Sequence, residues 1–160
     1  MKFLYYMCVL IFSCNSNFNL DEKWNEAIEY RKKSNFQKAI TSLKEIIESG
    51  KNNSFSAQAQ YQLADIYLND VNNYTFSIKE FESLIDKYPN SEFAKRSIFM
   101  LGYINSNYTE SYDDAIMYYN MFLENYPDDD LALSVNYELN LLDSLGTINA
   151  LKKLRKNRKF

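Results

Sequence analysis

The sequence repeats itself with a period of 38 residues. A shift by 38 brings apolar residues and a turn dipeptide onto their counterparts: Leu63 onto Leu101, Ile66 onto Ile104, Ile78 onto Ile116, and Tyr88-Pro89 onto Tyr126-Pro127. The same shift relates Ala39, Ser77 and Ala115, so three units are visible. A period of this length indicates stacked units, each of which buries its apolar face only against its neighbours. We therefore expect an array of small units.

Each unit reads as a pair of helices. Apolar residues recur at spacings of three, four and seven, as in Ala115, Tyr119 and Phe122, which is typical of a helix with one apolar face. Breaks at 49–53, 88–91 and 126–129 contain Gly or Pro followed by Asn, Ser or Asp, which end one helix and cap the next. Shorter breaks at 72–73 and 110–111 divide the units. The predicted helix pairs are 21–33 with 35–49, 56–69 with 74–87, 91–107 with 112–125, and 130–143 with 147–157.

Small and aromatic residues occupy fixed places in these helices. The second unit has Leu63-Ala64, Tyr67, Ser77, Phe81 and Pro89, the third has Leu101-Gly102, Ala115, Tyr119 and Pro127, and the first has Ala27, Tyr30, Ala39 and Leu43. This pattern resembles the tetratricopeptide repeat over residues 21 to about 143. The resemblance implies an all-α fold, a tetratricopeptide-like α-solenoid of antiparallel helix hairpins. Ala39, Ala64, Gly102 and Ala115 stand where two helices approach most closely, because a larger side chain would push them apart.

The N-terminus carries an export pattern. Lys2 is followed by an apolar run over residues 3–12, which is too short to span a bilayer and has the form of a signal peptide. The run leads into Ile11, Phe12, Ser13 and Cys14, which resembles the lipobox of bacterial lipoproteins. That resemblance implies removal of residues 1–13, an acylated Cys14 and a tether over residues 14–20. From the residues alone, three fates of Cys14 stay open: acylation, location in a discarded or membrane-embedded peptide, and disulfide pairing.

A tetratricopeptide array behind a lipobox is similar to the BamD-like outer-membrane lipoproteins and, as a second choice, to the YbgF/CpoB-type periplasmic repeat proteins. The resemblance implies a domain of three repeats plus the first helix of a fourth over 21–145, and a capping helix over 146–160. It also implies a bacterial cell-envelope location, in the outer membrane facing the periplasm, with protein or peptide partners and membrane attachment through the lipid anchor. A structural lipoprotein without a specific client is an alternative.

Composition argues against an enzyme. The chain has no histidine, and both of its cysteines fall within the first 14 residues, which excludes the usual neutral-pH general base and the common nucleophile pairs. Asp128, Asp129 and Asp130 follow Pro127 and are expected as helix-capping and macrodipole partners, with no metal site. A carboxylate-based hydrolase is an alternative of another class and would need two converging acids. We expect no catalytic residue, no cofactor and no metal.

The charge is unevenly distributed. Residues 151–160 hold six cations and no anion, whereas residues 14–150 hold 21 acids against 11 bases. The basic end is either a complement to the last helix's macrodipole or a contact for anionic lipid or an acidic partner. Nucleic acid is the least expected partner of an exported chain with an acidic body.

Four aromatic residues mark a candidate binding groove. They are Trp24, Tyr61, Phe99 and Tyr137, which share one position on the first helices of the pairs. In tetratricopeptide arrays these helices line the concave face, where large rigid rings can anchor a peptide. Tyr103 and Arg96 are candidates to orient such a peptide, and Arg31 and Asp65 lie near the same stripe. The alternative is that the four rings pack in the core between repeats.

Overall fold

The computed structural model describes residues 19–50 and 53–157, and within them every regular element is a helix. The all-α expectation is confirmed. The helices are α1 (Leu20–Lys32), α2 (Phe36–Ser49), α3 (Asn53–Asp65), which continues as one π-helical turn (Ile66–Asp70), α4 (Tyr74–Lys87), α5 (Glu92–Asn107), α6 (Tyr112–Asn125) and α7 (Ala132–Asn157).

The helices begin and end where polar and turn residues dictate. Asn19 caps α1 by accepting from the amide of Asp21 at 3.1 Å, and Ser91 caps α5 by accepting from the amide of Ala94. Gly50 ends α2 in the left-handed region at a φ of 57°, where glycine has no Cβ penalty. These caps satisfy backbone groups that the first and last helical turns leave unpaired.

The 38-residue period is also visible in the backbone. Ser34, Asn72 and Glu110 have φ values of 56°, 54° and 55°, and each lies in the turn between the two helices of its unit. A positive φ is uncommon for residues other than glycine, so its recurrence at one repeat position identifies the same tight turn in all three hairpins.

Packing follows the order of the chain. Each helix contacts the next, and α3 also contacts α5, so successive hairpins stack side by side. Three buried clusters follow one another: α1, α2 and α3 enclose the first, the second includes Phe81 and Leu101, and the third includes Phe122 and Val135. The core is therefore distributed along the array, as expected for a solenoid.

The predicted repeat positions lie where helices meet. Ala27, Ala39, Ala64, Gly102 and Ala115 are buried. Phe81 and Tyr119 are fully buried as well, whereas Tyr67 is half-buried beside the first cluster. Pro89 and Pro127 are exposed in the turns between units. Ser77 also joins helices, because its buried hydroxyl donates to the carbonyl of Ala64 at 2.9 Å.

The C-terminal region differs from the prediction of a fourth hairpin. Residues 132–157 form a single helix, α7, and Gly146 lies inside it. One glycine costs a helix only about 1 kcal/mol, so it does not break one. Two further positions explain the missing turn. The next position after 34, 72 and 110 is Ile148, a β-branched residue for which positive φ is strongly disfavoured. The small residue of earlier units is replaced by Asn140.

Several predictions concern parts outside the described residues: the signal peptide over 1–13, Cys14, most of the tether over 14–20, and residues 158–160 of the basic end. Among the helices of the described part, none is long and apolar enough to cross a membrane.

Candidate protein-binding face

The candidate residues all lie on the first helices of the hairpins. Helices α1, α3, α5 and α7 form what we call the first-helix face, and helices α2, α4 and α6 form the second-helix face. Trp24 lies on α1, Tyr61 on α3, Phe99 on α5 and Tyr137 on α7. The equivalent positions of successive hairpins are thereby placed in order along the first-helix face.

Three of the four rings are half-buried and pack against other rings. Trp24 meets Phe55 edge-on at a centroid distance of 5.5 Å. Tyr61 meets Phe81 at 5.4 Å and Phe93 at 5.6 Å, which joins α3 to both α4 and α5. Such edge-on and tilted pairs contribute about 0.5–1.5 kcal/mol each beyond area burial. These rings therefore help to hold the array together as well as presenting an edge to solvent.

Phe99 follows the same rule, because it lies 6.2 Å from Tyr119 and 6.4 Å from Phe122, both on the second helix of its own hairpin. Tyr137 differs from the other three and is 62% exposed. Since α7 has no second helix folded back on it, the ring at position 137 lacks the partners that Phe99 finds on α6.

Arg31 forms a polar clasp between the first two units. Its guanidinium donates to Gln62 Oε1 at 2.9 Å, and it contacts Asp65 Oδ2 at 2.6 Å and Asp70 Oδ2 at 2.7 Å. Asn69 also donates to Asp65 at 2.7 Å. All three ionic side chains are about three-quarters buried, so this network is desolvated more than a surface pair would be. The acids lie on α3 and its π-helical turn, which brings both within reach of one guanidinium.

The two orienting candidates lie further along. Arg96 is exposed and sits 5.9 Å from the ring of Phe93, within cation–π range, with Glu92 3.8 Å away. Tyr103 meets Tyr108 edge-on at 5.8 Å, and hydrogen bonding with Tyr108 raises the pKa of the Tyr103 phenol. Burial raises the pKa of Tyr61, with Asp65 adding to the effect. Both phenols are therefore uncharged hydrogen-bonding groups at neutral pH.

Tyr108 and Tyr74 belong to this region and were missed by sequence reasoning. Their rings stack at 4.7 Å, and Tyr108 is 42% exposed. Together with Tyr103 they extend the aromatic surface from the first-helix face around the turn edge of the array. The available signal was the alignment of Tyr74 with Tyr112 beside the repeated turns.

The acidic run after Pro127 has a structural role in this fold. Asp129 accepts from the amide of Leu131 at 3.0 Å and pairs with Lys95, and these contacts hold the pKa of its carboxyl below the usual value, with Lys95 as the larger cause. In the described part of the chain, no three Asp, Glu, Cys or His residues come together as a metal ion would require. Asp129 thus fixes the entry to α7.

Comparison with protein families identifies the repeats. A tetratricopeptide repeat family model matches residues 58–91 and again residues 96–129. The chain contains tetratricopeptide repeats. The first match covers α4 with most of α3, and the second covers α6 with most of α5. The two tetratricopeptide repeats start 38 residues apart, which agrees with the period in the sequence.

A search of curated proteins found no match to this chain. The tetratricopeptide repeats therefore carry the functional argument. Such repeats stack into solenoids whose extended surfaces bind proteins, and they are typically non-catalytic. A protein-interaction scaffold is the function that these repeats support.

Proposed function

We propose that this protein is a non-catalytic protein-binding scaffold, anchored through Cys14 as a lipoprotein of the bacterial cell envelope and most like a small BamD-type outer-membrane protein assembly factor. The observation that supports binding is the first-helix face, where half-buried aromatic rings show their edges beside the exposed Arg96. Rings held in place by packing lose little conformational entropy when a peptide binds, which favours their use as anchors.

The client-binding part of this face is centred on α3 and α5. Tyr61 and Phe99 supply apolar contact, while Tyr103 and Arg96 offer a hydroxyl and a cation at the rim. This combination suits an extended or helical peptide with apolar side chains and at least one acidic group. Because the array has three hairpins rather than the five repeats of BamD, a YbgF/CpoB-type cell-envelope adaptor is the second candidate.

The anchor is tested by Cys14→Ser, with Cys8→Ser as the matched control. We expect the Cys14→Ser protein to leave the membrane fraction and to incorporate no labelled fatty acid, because the acyl chains that would provide attachment need this thiol. The Cys8→Ser protein should stay membrane-bound and labelled. A Cys14→Ser protein that sediments with membranes as before would refute the anchor while leaving the binding function untouched.

Client binding is tested by crosslinking and pull-down of the full chain from its own envelope. Tyr61→Ala and Phe99→Ala would remove core rings and confuse binding with stability, so the sharper variant is the pair Arg96→Ala and Tyr103→Ala. We expect that pair to lose capture with helicity unchanged. Met117→Ala, on the exposed surface of α6, is the control and should capture normally. Recovery of outer-membrane assembly proteins favours the BamD-type role, and recovery of Tol-Pal proteins favours the adaptor.

A further inference from the structure

Helix α7 carries an uncovered apolar stripe. Leu133, Tyr137, Leu141 and Leu145 are 83%, 62%, 43% and 43% exposed, respectively. A spacing of four residues places all four along one side of the helix, over a length of about 18 Å. Contiguous exposed apolar side chains of this kind mark a surface that another protein covers. The stripe therefore lacks its partner in the isolated chain.

The stripe is distinct from the side of α7 that packs on the array. Ala132, Val135 and Leu142 are buried in the cluster shared with α6. In the preceding hairpin, the corresponding first helix α5 is also covered by α6, whereas α7 continues straight to Asn157. The missing second helix of the fourth unit explains why apolar side chains stay uncovered on α7, and an added helix is the element that fits there.

Charge along the sequence of α7 indicates which helix this is. The first half has Glu138 and Asp143 and follows Asp128, Asp129 and Asp130, whereas residues 151–160 hold six cations and no anion. A covering helix that runs antiparallel should therefore begin basic and end acidic when read beside α7 from its start. A second copy of α7 meets this requirement, and twofold symmetry provides the favourable pairing twice.

We propose that two copies of this chain form a homodimer in which their α7 helices pack antiparallel through the stripe. Each helix has 26 residues and is about 39 Å long, which is ample for a two-helix interface. The twofold axis lies near Leu145, close to the middle of α7. The stripe leucines and Tyr137 are buried in the dimer, and the client-binding residues on α3 and α5 stay free. This inference does not depend on the proposed anchor or client.

The test is the mass of the full chain in a non-ionic detergent, by light scattering after gel filtration and by sedimentation equilibrium. We expect a protein mass of two chains at micromolar concentration. The double variant Tyr137→Glu and Leu141→Glu should be monomeric, with a dissociation constant raised at least about 100-fold, because it would bury unpaired carboxylates. Met117→Glu, which places the same charge at an exposed position on α6, should dimerise as the parent does.

A charge reversal tests the antiparallel arrangement. Glu138→Lys with Asp143→Lys should weaken the dimer about tenfold, and adding Lys152→Glu with Lys153→Glu should restore it, since each pair then faces opposite charge again. Failure of this rescue overturns the arrangement. A monomeric parent chain overturns the proposal whether the stripe is then covered by residues 1–18 or by a helix of another protein. A dimer that survives both glutamates on the stripe overturns it too.

Discussion

At the scale of single residues, the closest contact in the array is that of Gly102 with Tyr119. A Cβ at position 102 would lie 2.5 Å from the Cδ1 and Cε1 atoms of the Tyr119 ring, which is too close for any side chain. Glycine is required here by the neighbouring helix, whereas its backbone is ordinary α-helix. The Tyr119 ring is fully buried as a result, and it fills the space that a larger residue at 102 would take.

Gly102→Ala should destabilise the protein by about 1–2 kcal/mol, because the strain of about 1–3 kcal/mol outweighs the gain of about 1 kcal/mol in helix propensity. Gly146→Ala is the matched control, since nothing lies within 4 Å of a Cβ there, and it should stabilise by about 0.5–1 kcal/mol. Urea unfolding followed by circular dichroism measures both. Equal stability of the two variants would show that the ring yields.

Tyr119→Phe should leave stability at pH 7 unchanged or raise it by up to about 1 kcal/mol, because among the described residues the buried hydroxyl has no hydrogen-bond partner. Burial raises the pKa of Tyr119 in the folded protein, so its stabilising contribution is full below the unfolded pKa of about 10 and is lost as pH rises above it. The variant should therefore lose less stability between pH 7 and alkaline pH in thermal unfolding. The exposed Tyr112→Phe should behave as the parent, and a parent-like alkaline loss in Tyr119→Phe would contradict this.

Sequence reasoning located Gly102 correctly because a small residue recurs at that repeat position. It did not indicate the unpaired hydroxyl of Tyr119 or the Arg31 clasp. Whether a polar side chain finds a partner depends on distances of a few tenths of an ångström between helices, and a repeat pattern contains no such information. For Arg31, the acids lie 34 and 39 positions further on, and a solvated charge was the simpler expectation.

At the scale of helices and turns, the contact between the first two units depends on a polar clasp as well as on apolar packing. The π-helical turn at Ile66–Asp70 lies where α3 meets Arg31, and the guanidinium contacts the acids at 65 and 70, one on each side of the change in helix type. Loss of the cation would leave two carboxylates close together, partly desolvated and mutually repelling.

Arg31→Ala should therefore cost about 1–3 kcal/mol, since it removes several charge-assisted hydrogen bonds and leaves buried acids unpaired. Lys32→Ala is the control on the next residue, where the exposed pair with Glu29 is worth less than about 0.5 kcal/mol. Denaturant unfolding of both variants, with amide exchange in α1 and α3, checks the result. A loss in Arg31→Ala no larger than in Lys32→Ala would show that the clasp is neutral.

The bounds of most helices were predictable to within a few residues, because Asn, Ser, Gly and Pro punctuate the chain at regular intervals. The fourth hairpin was not. The sequence around Gly146 contains a residue that often ends helices, but the decision depended on the backbone preference of Ile148 at a turn position that only the structure reveals. The aromatic ladder was predicted as a set of positions, and its packing depends on whether a second helix follows.

At the scale of the whole molecule, stability is divided among three buried clusters that share few side chains. Ile46 belongs to the first cluster and Ile98 to the third, with the Phe81 cluster between them. Nearest-neighbour coupling dominates in such arrays, so distant substitutions should act independently.

Ile46→Val and Ile98→Val should each cost about 0.5–1.5 kcal/mol, and the double variant should equal their sum within about 0.5 kcal/mol. The control pair is Ile46→Val with Ile66→Val, two residues of one cluster, where the costs should depart from additivity. Double-mutant cycles by urea unfolding measure both. Strong coupling between Ile46 and Ile98 would mean that the array folds as one indivisible core.

The identity of residue 148 also bears on how such a chain can lengthen in evolution. Duplication of one 38-residue segment in the interior, such as 53–90, would add a hairpin while leaving both ends of the array intact. A unit appended after α7 would meet a helix that does not turn back, because Ile148 and Asn140 replace the turn and small residues of earlier units. New repeats are therefore expected between existing ones, and α7 stays at the end of every longer descendant.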